Sequence, residues 1–160
     1  MKNLTLIIPA KFESESLPNV LNEIKFLECK KKIILETTDF KTIESVKNHD
    51  CELIYQNQKG YGNALRLGIK NVDTDYLCIF NADGSFDPKY LRDMLKICIN
   101  YDYVFASRYL ENGGSDDDTI ITRFGNYFFS TLGNILFSLK IKDILFTYIL
   151  GKKNSFQALN

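Results

Sequence analysis

The chain has 160 residues, of which 45% are hydrophobic and 25% charged, a composition typical of a single globular domain and not of a disordered or fibrous protein. Its 20 lysines and arginines balance its 20 aspartates and glutamates, so the formal net charge at neutral pH is zero. Proteins that bind nucleic acid through the phosphate backbone usually carry a basic excess, so we expect no nucleic-acid partner.

Hydrophobic patterning predicts strands and helices in alternation along the first half of the chain. Leu4 to Ile8 is a continuous apolar run, typical of a strand buried on both faces, and Pro9 ends it. From Leu17 to Leu27 the apolar residues recur every three or four positions, which predicts a helix. Further strands are expected at 32–36 and 52–55, and further helices at 43–47 and 60–70.

The second half of the chain continues the alternation. A strand is expected at 76–80, a helix opened by Pro88 at 88–99, and a strand at 103–106. The segment 112–118 is rich in glycine and aspartate and is the clearest loop. One apolar helix face is predicted beyond it, formed by Phe124, Phe128, Leu132, Ile135, Leu136 and Leu139. Together the elements predict an α/β fold, a three-layer sandwich with a mostly parallel central sheet.

The cysteines and the apolar runs bear on the cellular compartment. The four cysteines are spaced too widely for a zinc site or a dense disulfide framework, the smallest gap lying between Cys78 and Cys98. Free thiols in a reducing cytoplasm are therefore expected. No apolar run reaches the roughly 18 residues of a membrane span, and the run at Leu4–Ile8 is shorter than the core of a signal peptide.

Two polar segments follow predicted strands, and parallel α/β sheets bind ligands at the carboxyl ends of their strands. After strand 76–80, Asp83 stands in a small-residue turn where a carboxylate can coordinate a divalent cation, and Gly84 leaves room for a phosphate. Alternatively this segment is only a polar turn, and Asp87 caps the next helix under either interpretation. After the first strand, Glu13 reaches the same sheet edge, although by itself this segment favours a solvated loop.

Two further segments carry groups suited to anions. Lys59 and Gly60 open a predicted helix, where backbone N–H groups favour a phosphate or a sugar. Dinucleotide binding through a G-x-G-x-x-G motif is not expected there, because position 65 is leucine and the segment follows the third strand, not the first. Arg108 follows the strand at 103–106 and Arg123 lies beyond the acidic loop. Each guanidinium can bind a phosphate through two hydrogen bonds, or can equally be an ordinary surface group.

In this order the segments resemble the inverting family 2 glycosyltransferases with a GT-A fold, and most closely the polyprenyl-phosphate or dolichol-phosphate mannose and glucose synthases. The resemblance runs from Leu4 to about Asp143. It is carried by Pro9-Ala10-Lys11-Phe12-Glu13, by Lys59-Gly60-Tyr61-Gly62-Asn63-Ala64-Leu65, by Asn81-Ala82-Asp83-Gly84 and by Ser107-Arg108-Tyr109 with Arg123. It implies that a nucleotide-sugar donor binds at Pro9, Ala10, Glu13, Glu36, Lys59, Gly60, Asn81 and Asp83.

The same resemblance implies a mechanism. Mg²⁺ or Mn²⁺ on Asp83 would stabilise the departing nucleoside diphosphate, while Arg108 and Arg123 would hold the acceptor, a lipid phosphate or a glycan of the cell envelope. Two positions depart from the family pattern: Asn81 replaces the first aspartate of the metal motif, and the short end of the second strand leaves Glu36 and Asp39 as candidates to read the nucleobase. A GT-A-like binding module without turnover is the alternative.

These expectations assign different roles to two parts of the chain. Residues 1–119 would form the nucleotide-sugar-binding core and residues 120–160 an acceptor-side helical segment. The apolar stretch 124–139, followed by Lys140 and Lys142, has the character of a helix that lies on a membrane surface. An ordinary amphipathic helix that covers the sheet is the alternative. The sequence therefore predicts a cytoplasmic glycosyltransferase, in peripheral contact with a membrane under the first of these two interpretations.

Overall fold

A computed structural model of the protein describes residues 1–110 and 119–159, so the predicted loop at 112–118 lies outside the described residues. The chain divides into two compact units. One comprises residues 1–104 together with the segment from Ile149 onward and is called here the sheet unit. The other comprises Phe105–Tyr148 and is called the helical unit.

The sheet has six strands in the spatial order β3-β2-β1-β4-β6-β5. The strands are β1 (Leu4–Pro9), β2 (Lys30–Glu36), β3 (Glu52–Gln56), β4 (Tyr76–Ile79), β5 (Tyr103–Phe105) and β6 (Ile149–Lys152). The first four strands run parallel to one another, and β6 pairs antiparallel with β4. This arrangement confirms the predicted α/β fold with a mostly parallel sheet.

The helices follow the strands as the patterning predicts. They are α1 (Leu17–Glu23), α2 (Phe40–Val46), α3 (Tyr61–Lys70), α4 (Leu91–Cys98), α5 (Ile120–Phe137) and α6 (Lys153–Gln157). A 3₁₀ turn at Pro88–Tyr90 precedes α4, and Asp87 caps it as expected by accepting a hydrogen bond from the Lys89 N–H at 2.9 Å.

The core of the sheet unit lies on both faces of the central strands. Leu6, Ile7 and Ile8 are fully buried although successive side chains of a strand point to opposite faces. Both faces of β1 are therefore covered, which is the reason for its uninterrupted apolar sequence. On one face Ile7, Ile34 and Leu77 form a cluster with Ala64 of α3 and other buried residues.

Gly68 allows α3 to approach this cluster closely. A Cβ atom at position 68 would lie 2.4 Å from Cγ2 of Ile7 and 3.2 Å from Cδ1 of Ile34. We expect Gly68→Ala to lower the free energy of unfolding by about 1 to 3 kcal/mol, because overpacking outweighs the better helix propensity of alanine. Gly62→Ala, in the same helix but with nothing within 4 Å of the added Cβ, is the control and should cause no loss. Urea denaturation of both variants measures the difference, and equal stabilities would contradict this account.

Two elements and one boundary differ from the sequence analysis. It missed β6 and α6, and it placed Leu139 on the apolar face of the predicted helix. In the structure α5 ends at Phe137, Ser138 adopts a left-handed conformation with φ of 53°, and Leu139 lies outside the helix. β6 has only four residues, too few to show a period, and its strand conformation depends on pairing with β4 about 70 positions earlier in the sequence.

In the helical unit α5 is held by its polar side. Asn126 and Ser130 are buried, and both form hydrogen bonds with backbone groups between Lys142 and Leu145. Asn134 donates to the carbonyl of Ile141 and accepts from its N–H, each at 3.0 Å. The apolar stripe on the other side of α5, which includes Phe124, Phe128 and Ile135, is exposed.

Candidate active site

The carboxyl ends of β1 and β2 are joined by polar contacts. The N–H of Phe12 donates to Oδ2 of Asp39 at 2.7 Å, and the N–H of Glu13 donates to Oγ1 of Thr42 at 3.0 Å. Phe12 has a φ of 62°, in the left-handed region that a phenylalanine seldom adopts, and its ring is exposed. Two backbone N–H bonds thus hold the loop after β1 against the start of α2 and bring Glu13 to this edge of the sheet.

Glu36 and Asp39, the two candidates for reading the nucleobase, have different environments. The oxygens of Asp39 are occupied, because Oδ2 accepts from Phe12 and Oδ1 from the N–H of Thr42 as the cap of α2. Oε1 of Glu36 is buried and accepts no hydrogen bond. The nearest cation, Nζ of Lys11, is 3.6 Å away. Glu36 is therefore the member of the pair with an oxygen available to a ligand.

Gln56 is a candidate site residue that sequence reasoning missed. It ends β3 directly opposite Glu36 in the strand register, and its Oε1 is also buried without a hydrogen-bond donor. Buried polar atoms are rarely left unpaired, so two neighbouring acceptors at strand ends suggest that a ligand supplies the donors. The sequence did contain a signal for Gln56. It directly follows the predicted strand 52–55, at the sheet edge where ligands bind.

Asp83 lies in a tight turn after β4. The N–H of Ser85 donates to Oδ1 of Asp83 at 2.9 Å, and Nδ2 of Asn81 donates to Oγ of Ser85 at 3.0 Å. Gly84 has a φ of 83°, which a glycine adopts without strain. Asp83 is exposed, and no described residue donates a hydrogen bond to its Oδ2.

One exposed carboxylate fits a Mg²⁺ or Mn²⁺ ion whose other ligands are phosphate oxygens and water, since these hard cations prefer oxygen. It does not make an all-protein cage. Within residues 1–110 and 119–159 no group of three or more histidine, cysteine or acidic side chains is arranged to hold a metal. The donor set thus fits a cation that binds together with a nucleotide.

The anion-binding prediction concerns the start of α3. Gly60 occupies the N-cap position with a φ of 113°, and Asn63 folds back to donate to the carbonyl of Lys59 at 2.8 Å. Lys59 and Gly60 are both exposed. Pro9 and Ala10 lie at the end of β1, where the N–H of Ala10 donates to the carbonyl of Ile34 at 2.9 Å.

Arg108 and Arg123 belong to the helical unit. Asp143, which is 1% exposed, accepts hydrogen bonds from Nε and Nη2 of Arg108, both at 2.9 Å, and from its backbone N–H at 3.1 Å. The Arg108 guanidinium also lies 5.0 Å from the ring centre of Phe146. Arg123 contributes with Lys142 to the lining of a cavity of about 530 Å³ between α5 and the segment after it. The Arg108–Asp143 pair spans 35 positions and has no signal in the sequence.

The cysteines carry unreactive thiols. All four cysteines are free, as expected. Burial raises the pKa of the Cys78 thiol well above its ordinary value, and burial raises the pKa of the other three as well. A thiol with a raised pKa stays protonated at neutral pH and is a poor nucleophile.

Comparison with known proteins decides the family. The sequence profile described as glycosyl transferase family 2 matches residues 5–159, almost the whole chain. The chain belongs to this family. Uncharacterized glycosyltransferases of Mycobacterium tuberculosis and Mycobacterium bovis are each 29% identical to it over 97 residues, which cover 58% of this chain and 44% of theirs. The match thus spans less than half the length of these relatives.

Solved structures of sugar-transferring synthases share the fold. Mannosyl-3-phosphoglycerate synthase from Rubrobacter xylanophilus superposes with a TM-score of 0.74 at 15% identity, over 96% of this chain and 54% of that one. Glucosyl-3-phosphoglycerate synthase from Mycobacterium tuberculosis, in complex with Mn²⁺, UDP and glucosyl-3-phosphoglycerate, gives a TM-score of 0.70 at 11% identity, over 95% and 57%. At such identities the likeness concerns the fold, which is that of GT-A glycosyltransferases.

Proposed function

We propose that this family 2 protein transfers a sugar from a nucleoside-diphosphate donor, with inversion, to a phosphate-bearing acceptor, most specifically a polyprenyl phosphate. The proposal of a nucleotide-sugar donor rests on two buried oxygens at adjacent strand ends, Oε1 of Glu36 and Oε1 of Gln56. Neither accepts a hydrogen bond from the residues described. A nucleobase N–H or a ribose hydroxyl can donate to such atoms. The solved structure bound to UDP and Mn²⁺ has the same fold, which supports this choice of donor.

The remaining donor contacts follow from the strand ends. Pro9, Ala10 and Glu13 would border the nucleoside, and Lys59 and Gly60 would face its phosphates at the start of α3. Asp83 would hold Mg²⁺ or Mn²⁺. When bound, that ion would neutralise charge on the departing nucleoside diphosphate. The amide of Asn81 contributes no charge and keeps the turn in shape through its bond to Ser85.

The proposal of a phosphate-bearing sugar acceptor rests on residues of the helical unit. An acceptor phosphate is already ionised, so the chain needs to position it and not to remove a proton. Arg123 and Lys142 supply positive charge to the cavity after α5, and Tyr109, Phe124 and Tyr127 supply aromatic walls. Such a lining suits an anion with an attached apolar group. Arg108 would act beside them, with its orientation set by Asp143.

The donor proposal predicts a specific loss of nucleotide affinity. We expect Glu36→Ala to weaken binding of UDP or GDP in the presence of Mn²⁺ by about tenfold or more, because a charge-assisted hydrogen bond is lost. Isothermal titration measures the dissociation constants, and Glu44→Ala on the exposed surface of α2 is the matched control. If neither nucleotide binds to the unmodified protein with Mn²⁺, the proposed donor is wrong.

The second candidate function is a binding module without turnover, favoured by the uncharged Asn81 at the place of the family's first metal-motif aspartate. A donor-hydrolysis assay separates the two candidates. Slow release of sugar that depends on Mn²⁺ supports the enzyme. Tight nucleotide binding with no release of sugar over many hours supports the module.

A polyprenyl phosphate resides in a membrane, so the proposed acceptor implies a cytoplasmic protein at the inner membrane face. The contact would be peripheral and made by residues 124–139. None of the helices in the described ranges is long and apolar enough to cross a bilayer. Under this proposal the strand ends of the sheet unit serve the donor and the helical unit, which contains Arg108 and Arg123, serves the acceptor.

A further inference from the structure

Two hydrogen-bond acceptors without donors lie side by side at the ends of β2 and β3. Glu36 and Gln56 are partners in the strand register, and Oε1 of each is buried and accepts no hydrogen bond within residues 1–110 and 119–159. Two positions earlier in each strand, Ile34 and Ile54 pack in the cluster with α3, so Glu36 and Gln56 point to that same face of the sheet. Neighbouring strands are about 4.8 Å apart, which sets the spacing of the two side chains.

The charge of Glu36 is balanced without using its capacity to accept hydrogen bonds. Nζ of Lys11 lies 3.6 Å from Oε1 of Glu36, beyond hydrogen-bond length. The side chain of Lys11 is 59% exposed and that of Glu36 only 15%. Asp39, the other carboxylate at this strand end, already accepts from two backbone N–H groups. Glu36 therefore offers a mostly buried carboxylate to a ligand, and Gln56 adds an acceptor oxygen beside it.

The strand order places these acceptors at the base end of a bound nucleotide. Asp83 follows β4, and β1 lies between β4 and β2. At about 4.8 Å per strand, the ends of β2 and β3 lie roughly 10 to 14 Å from the end of β4. In a nucleoside diphosphate the base is the group farthest from the phosphates. With the diphosphate at Asp83, the base and not the ribose therefore reaches Glu36 and Gln56.

The nucleobases differ in the donors that they carry on their pairing edge. Uracil has one N–H between two carbonyl oxygens, so it satisfies one of the two oxygens and turns a carbonyl toward the other. Adenine and cytosine carry an amino group beside a ring nitrogen that is itself an acceptor. Guanine carries an amino group directly beside a ring N–H, which gives three adjacent hydrogens with no acceptor between them. Guanine is thus the base whose edge suits a carboxylate with a second acceptor next to it.

We propose that the donor of this chain is a guanine nucleotide, selected by Glu36 and Gln56; this inference rests on the proposed nucleotide-sugar donor. The carboxylate of Glu36 accepts from the ring N–H and from one amino hydrogen, and Oε1 of Gln56 accepts from the other amino hydrogen. Two acceptors about 2.9 Å from one amino nitrogen and about 120° apart are about 5 Å from each other, which agrees with the strand spacing. Gln56 also borders a cavity of about 700 Å³, which has room for a two-ring base.

Titration calorimetry with GDP, inosine diphosphate and UDP, each with Mn²⁺, tests this assignment, because the three ligands share the ribose and the diphosphate. Inosine diphosphate keeps the ring N–H of guanine but lacks its amino group. We expect GDP to bind about tenfold or more tightly than either of the others, because each of them leaves a buried acceptor unpaired. Equal affinities for GDP and inosine diphosphate, or UDP binding as tightly as GDP, would overturn the proposal.

Two variants test the residues themselves. Gln56→Glu, whose ionised side chain can only accept, should keep the preference for GDP over UDP. Loss of that preference would show that Gln56 donates to a base carbonyl, against the proposal. Glu36→Gln should reduce the preference to about threefold or less, because a charge-assisted acceptor is lost. Glu44→Gln, in the exposed pair with Lys47, is the matched control and should leave the preference unchanged.

The outcomes separate this inference from the proposed function. If none of the three diphosphates binds with Mn²⁺, the nucleotide-sugar donor itself is wrong, and the assignment of its base with it. If they bind without preference, or if UDP is preferred, the nucleotide donor stands and only the assignment of guanine to Glu36 and Gln56 fails.

Discussion

Asp83→Asn is expected to reduce Mn²⁺-dependent sugar release from a nucleotide-sugar about a thousandfold. The amide retains the shape of the side chain and can still accept the hydrogen bond from the Ser85 N–H, so the turn should persist. What is lost is the negative charge that would hold the cation. Losing several kcal/mol of stabilisation of the departing diphosphate corresponds to a rate loss of this size.

Product release followed by chromatography, over a range of Mn²⁺ concentrations, measures the effect. Asp93→Asn on α4 is the control, because Asp93 is exposed and pairs only with Lys96 among the residues described. A thermal melt should show that neither variant is destabilised. If Asp83→Asn retains full activity, the metal does not act through this carboxylate and the proposed catalytic role of Asp83 is wrong.

The second large effect concerns stability. Asp143→Ala is expected to lower the free energy of unfolding of the helical unit by about 2 to 4 kcal/mol, because three N–H groups of Arg108 lose a buried acceptor. This expected loss of unfolding free energy is lower than is usual for a fully buried ion pair, because the Arg108 side chain is 22% exposed. Hydrogen exchange of amides in residues 119–148 reports on this unit separately from the sheet unit.

A double variant distinguishes positioning from phosphate binding. Arg108→Met with Asp143→Leu should recover most of the lost stability, because buried ion pairs can be replaced by apolar residues. It should not recover acceptor binding if the guanidinium of Arg108 contacts the phosphate. Glu44→Ala, which breaks an exposed pair with Lys47, should cost no more than about 0.5 kcal/mol. An equal cost for Asp143→Ala would show that the pair contributes little to stability.

Parts of the site could be predicted from residues that are close in sequence. Gly60 and Lys59 before an apolar-periodic helix, and Asp83 three positions after a strand-ending aromatic, are local patterns with local physical causes. Which of Glu36 and Asp39 has an oxygen available to a nucleobase could not be predicted from neighbouring residues in the sequence. It depends on the Phe12 N–H, which reaches Asp39 from a different strand end. Gln56 and the pairing of Arg108 with Asp143 were missed for the same reason, since the partners are distant in the sequence.

The sequence by itself determined the class of fold, because uninterrupted apolar runs such as Leu4–Ile8 require a sheet covered on both faces. It also determined which side chains follow the strands. Only the tertiary structure decided that four residues at Ile149–Lys152 complete the sheet, that Asp143 orients Arg108, and that α5 turns its polar side inward and leaves its apolar side exposed. Helical periodicity identifies two faces of a helix, but which face is buried depends on the hydrogen-bonding groups of the segment packed against it.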